Sequence, residues 1–95
     1  MSPQRIQRQR TKGWRMPAGT VSVTRPSYFG NPYVVGIHGD AARCVQLFVQ
    51  RYGDDAGYQQ AAQAQLAGKD LACYCALGSP CHADVLLRWA NGPAV

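Results

Sequence analysis

The chain has 95 residues, 46% apolar and only 16% charged, which describes one small folded domain with no room for a second core. The formal net charge is +5, and no apolar run approaches the roughly 20 residues that a membrane span needs. The first residues, Met1-Ser2-Pro3-Gln4-Arg5, are polar and basic with no signal-peptide-like stretch behind them.

The expected location is therefore the cytoplasm of a bacterium or of a phage-infected host cell. In that reducing compartment, four cysteines read as thiols or metal ligands rather than disulfides. Charge is unevenly spread. Before Asp40 stand six basic residues and no acidic one, whereas the remainder carries four basic residues against five aspartates. A basic N-terminal third points to an anionic partner such as a nucleotide or nucleic acid, or else to a solubilising tail.

In chain order, residues 1–12 form a basic arm with room for a short edge strand around Ile6, and residues 13–95 form the domain. Gly13–Gly19 is a loop. Thr20–Thr24 alternates and is rich in β-branched residues, so it reads as a strand ended by Arg25-Pro26. Ser27–Pro32 is a turn-rich loop, and Tyr33–Val35 is a short extended piece. Asp40 is placed to cap a helix over Ala41–Tyr52, whose apolar face includes Cys44 and Phe48. Asp54 or Asp55 starts a second helix that runs to about Ala67. Leu71–Cys75 is a buried strand. Ser79-Pro80 then reads as N-cap and first residue of a last helix, stopped by Asn91-Gly92-Pro93. Strand, helix, helix, strand, helix predicts a small α/β sandwich with a short, largely parallel sheet and about three helices. A two-stranded sheet would be unstable, so the arm or Tyr33–Val35 is expected to add a strand.

The chemistry concentrates at Cys73, Cys75, Cys81 and His82. On a strand, Cys73 and Cys75 share a face, with Cα atoms about 6.5 Å apart, near the upper limit for a disulfide. Cys81 and His82 fall in the first turn of the last helix, where the dipole attracts anions and favours a thiolate. Three readings follow. Cys73, Cys75, Cys81 and His82 are a zinc ligand set, although neighbours on a helix diverge too much for Cys81 and His82 both to ligate easily. Alternatively Cys81 is a reactive thiol with His82 as its base, a catalytic pair. Or the cysteines are small buried hydrophobes.

If the two predicted strands are parallel, the loop carrying Arg25, Ser27 and Asn31 faces the one carrying Cys75, Cys81 and His82. Open α/β sheets bind ligands at that edge. Arg25 suits a phosphate or carboxylate, and Ser27, Asn31 and Cys75 would line the same pocket. On the arm, Arg5, Arg8, Arg10, Lys12, Trp14 and Arg15 form a basic set with one indole, suited to gripping a nucleic-acid strand. Trp14 equally suits covering the core. Asp84 reads as a solvated charge or a partner for Arg25, and Val85, Leu86 and Trp89 as sheet-facing.

Several segments carry a resemblance: Arg5-Ile6-Gln7-Arg8, Thr11–Pro17, Arg25-Pro26-Ser27 with Phe29-Gly30-Asn31-Pro32, Gly68–Cys75, and Pro80–Leu87. Together they resemble domain-of-unknown-function family 4326, which is found in bacteria and their phages. Phe29 stands where tryptophan is common in that family. The resemblance covers nearly the whole chain and implies no particular activity.

Overall fold

The structure, a computed structural model, describes residues 3–25 and 27–92. Its elements are Arg5–Gln7 (β1), Thr20–Ser22 (β2), Ala41–Tyr52 (α1), Ala56–Leu66 (α2), Asp70–Cys73 (β3) and His82–Asn91 (α3). Pro26 and Pro93, read from sequence as the stops of a strand and a helix, lie outside the described residues.

The last strand takes the centre of the sheet, in the order β1-β3-β2 with both pairings parallel. Leu71, Ala72 and Cys73 are accordingly buried in succession, as a central parallel strand requires. Arg5 lies opposite Leu71 in register, so the N-terminal segment supplies the third strand. The ladder continues past β2, where Val23 N donates to the Ala72 carbonyl at 2.9 Å. Tyr33–Val35 adds no strand. Its backbone bonds are spent locally: Val34 N donates to His38 Nδ1, and the Val34 carbonyl accepts from Ile37 N and His38 N.

The first two helices start at carboxylates. Asp40 accepts from Arg43 N at 2.8 Å and Asp55 from Tyr58 N at 3.0 Å, each meeting an otherwise unpaired donor. α3 touches β1 and β3 and packs against both α1 and α2. Trp89 departs from the sheet-facing expectation. It stacks on Phe48 of α1, with centroids 5.6 Å apart, because α3 presents one face to the sheet and another to the helices. Tyr58 of α2 sits at the centre of this aromatic core against Tyr52, Phe29 and Phe48. No helix among the described residues is long and apolar enough to cross a membrane.

Candidate functional site

β3 ends at Cys73, two residues earlier than its apolar pattern predicts, so Cys75 lies in the following loop rather than on the strand. The predicted helix start also moves. Cys81, in extended conformation, is the N-cap and the helix begins at His82. Were Ser79 the cap, its carbonyl would accept the first helical bond. Instead that carbonyl accepts from Arg5 Nη1 at 3.0 Å. Arg5 also holds the Ala76 carbonyl at 3.1 Å, the Leu77 carbonyl and, at 3.2 Å, the carboxylate of Asp84. Asp84 thus pairs with Arg5, not Arg25. One guanidinium from the edge strand shapes the whole 76–80 loop.

That loop brings three free thiols together. The sulfurs of Cys73, Cys75 and Cys81 lie within 4.8 Å of one another, with Cys73 and Cys81 3.0 Å apart. These three residues could hold a metal ion. His82 does not complete the set. Its Nε2 is 2.9 Å from the Val23 carbonyl, so Nε2 carries the hydrogen and Nδ1 is the bare acceptor. Nδ1 faces Cys81 Sγ at 3.8 Å, and the ring rests on Phe48. Thiol, imidazole and orienting carbonyl are thus arranged as a nucleophile and base would be.

Cys75 differs from its neighbours in being only half-buried. Its pKa is held well below the ordinary thiol value by hydrogen bonds from Cys73 and Cys81 and by the nearby charge of Arg5. The Cys73 thiol is pushed up, chiefly because it donates to Cys75 and sits beside Cys81, with burial adding to the effect. Between these two thiols the negative charge therefore favours Cys75 over Cys73.

Across from this loop lies the one between β2 and α1. Asn31, nearly buried, accepts from Tyr33 N at 2.9 Å and donates to the Cys44 carbonyl on α1 at 3.2 Å. Its amide thus fastens the loop at the wall of the cleft, with one N–H and one lone pair used. Arg25 Nη1 is positioned by the carbonyls of Asn31 and Tyr33. Gly30 is needed here, since a Cβ would press within 3.0 Å of the Arg25 backbone. Between the two loops opens a cleft of ≈ 380 Å³, of a size that holds small ligands. Arg25, Asn31, Cys73, Cys75, Cys81 and His82 line it together with Arg10, Thr24, Tyr33, Tyr74 and Cys44. Ser27 is exposed and does not line it.

Residues 6–92, which include both loops, match the family described as Domain of unknown function (DUF4326). The chain belongs to this family. No curated protein and no solved structure matches it significantly.

The basic residues of this DUF4326 domain divide by use. The side chain of Arg5 is only 6% exposed, which removes it from any free arm. Arg8 is spent on Ser22 Oγ and Thr24 Oγ1 and lies over the Tyr74 ring. Arg10 also covers Tyr74, at 4.2 Å, and it alone of the N-terminal set lines the cleft. Lys12 and Arg15 are exposed, and Trp14 is half-buried outside the main core cluster. What sequence reasoning missed is the inward role of Arg5, the place of Arg10 in the cleft, and Tyr74 as its aromatic wall. The one available signal was that Arg5 adjoins Ile6, the apolar centre of the edge strand.

Proposed function

We propose that this protein binds a phosphate-bearing ligand, a nucleotide or a nucleic-acid end, in the cleft at the C-terminal edge of its sheet. The observation that carries the reading is the convergence of Arg10 and Arg25 with the Cys75–His82 loop around one cavity of ≈ 380 Å³. Two guanidiniums offer planar forks for phosphate oxygens. Tyr74 carries the Arg10 guanidinium over its ring at 4.2 Å and so places one of the two forks at the cleft wall. The exposed Lys12 and Arg15 extend the positive surface and favour a nucleic acid over a free nucleotide. In a reducing bacterial cytoplasm the thiols would remain unbridged, and zinc at Cys73, Cys75 and Cys81 is compatible with the same reading.

Calorimetric titration with inorganic phosphate, a nucleoside triphosphate and a short single strand tests this. Binding of at least one is expected, weakened about 10-fold or more by Arg10→Gln and by Arg25→Lys. Unchanged affinity in both variants, or no binding of any of the three, overturns it. The catalytic form of the reading makes Cys81 the nucleophile and His82 its base. There Cys81→Ser abolishes turnover while ligand binding stays nearly intact.

The accessory form has no chemistry and grips nucleic acid through its exposed basic residues. Neutralising Arg10, Lys12 and Arg15 together should then flatten the salt dependence of binding, by about 0.7–0.9 in slope for each phosphate no longer neutralised. A slope that does not change rules it out.

A further inference from the structure

We propose that Cys73, Cys75 and Cys81 bind one zinc ion as a three-thiolate centre whose fourth position opens on the cleft. The site is assembled from three separate anchors: the end of β3, the loop after it, and the N-cap of α3. A tetrahedral zinc with Zn–S near 2.3 Å sets its sulfurs about 3.8 Å apart. The 3.0 Å separation of Cys73 and Cys81 and the 4.8 Å limit on all three bracket that value, so the ion enters with only small side-chain adjustments. Zinc suits this set better than calcium or magnesium, which take oxygen ligands.

The same geometry identifies what is not a ligand. His82 gives its Nε2–H to the Val23 carbonyl, and its Nδ1, 3.8 Å from the Cys81 sulfur, is not among the ligand atoms that gather within 4.8 Å of one another. Asp84 is bound to Arg5. Cys44 lines the cleft, but its sulfur points to the Gly39 carbonyl at 3.9 Å. Among the described residues no fourth protein ligand joins the cluster, and Cys75 opens on the cleft. Three protein ligands and one free position are the arrangement of a catalytic zinc, whereas a structural site is closed by four.

Charge points the same way. Zinc with three thiolates carries −1, and the buried guanidinium of Arg5 adjoins the cluster and builds the loop that spaces Cys75 from Cys81. Metal occupancy would take Cys81 out of the nucleophile's role, so chemistry in the cleft would run through the open position. That this position receives a phosphate oxygen rests on the ligand reading given above; the ion itself does not.

The test is titration of the reduced, metal-free full chain with Co²⁺ as a spectroscopic stand-in, followed by displacement with zinc. One Co²⁺ per chain is expected, with thiolate-to-cobalt charge-transfer bands of three-thiolate intensity and tetrahedral d–d bands. Cys75→Ser, at the half-buried position, should lower affinity by more than about 100-fold, beyond what losing a residue that only orients a ligand costs. Cys44→Ser and His82→Gln should retain the three-thiolate spectrum. No cobalt uptake by the wild-type chain, unchanged affinity in Cys75→Ser, or loss of a thiolate band in Cys44→Ser overturns the site. Inorganic phosphate added to the cobalt protein should shift the d–d bands. Bands that ignore phosphate while calorimetry shows phosphate bound to the cobalt protein overturn the open position as its seat. Bands that ignore phosphate with no phosphate bound overturn the ligand reading and leave the ion standing. Phosphate binding by calorimetry without cobalt uptake overturns the metal while leaving the ligand reading standing.

Discussion

The two loops facing each other across the cleft are held in opposite ways. The loop between β2 and α1 fastens itself: Asn31 bonds Tyr33 two residues on and Cys44 on the helix it leads into, and Arg25 holds carbonyls six and eight residues away. The thiol loop between β3 and α3 is fastened from outside by Arg5, 74 residues from Ser79 along the chain. A self-fastened loop takes its shape from its own neighbourhood. The thiol loop takes shape only once the edge strand has docked, so the thiol cluster is a property of the assembled fold.

The widest gap between the two loops should appear in thiol chemistry. In metal-free folded protein the alkylation rate of Cys75 by iodoacetamide should be nearly flat from about pH 8 to 6, because the thiolate is already formed. The same residue in urea should lose about 100-fold over that range, tenfold per unit below the ordinary thiol value. The two shifted thiols affect stability with opposite signs. The folded pKa of Cys75 lies below its unfolded 9.0, so its contribution is fully present above that value and is lost as pH falls toward the folded one. The folded pKa of Cys73 lies above its unfolded 9.0, so its contribution is fully present below that value and is lost as pH rises past it. A Cys75 rate that climbs tenfold per pH unit in the folded chain would mean that the Arg5-built environment does not exist.

Next in size is Arg5→Met, which should cost about 3 kcal/mol in urea denaturation, since three carbonyls lose a charged donor. Cys75 should then titrate closer to an ordinary thiol. Asn31→Ala should cost about 2 kcal/mol by leaving the Tyr33 N–H without its partner and cutting the loop's tie to the Cys44 carbonyl on α1, with no change in the Cys75 profile. Asp84→Asn should cost less than about 1 kcal/mol, because the carboxylate side chain is 53% exposed and solvent screens the pair. Were Arg5→Met no worse than Asp84→Asn, the carbonyl bonds would contribute nothing and the contrast between the loops would collapse.

Much of the architecture is legible in local chemistry. Asp40 and Asp55 mark helix starts because a carboxylate meets an unpaired N–H wherever a helix begins. Leu71-Ala72-Cys73 reads as a buried strand because parallel strands are covered on both faces. The parallel arrangement that brings Arg25 opposite the thiol loop follows from strands joined through helices. Other features obey distant partners. Ser79-Pro80 is a good local helix start, but the Ser79 carbonyl is taken by Arg5 and the helix waits until His82. Arg5, counted with the basic arm by composition, is buried because docking of β1 carries it inward.

Of the feature that matters most, the cysteine–histidine group, sequence alone determined the residues and their place between a strand and a helix. Those depend on spacing and on the fixed geometry of short segments. Only the tertiary structure decided that three thiols meet while the histidine ties its Nε2 to Val23, that the Cys75 pKa is drawn below the ordinary thiol value, and that Arg10 shares the cleft. Each of these rests on an encounter between segments far apart in the chain, and no local propensity encodes such an encounter.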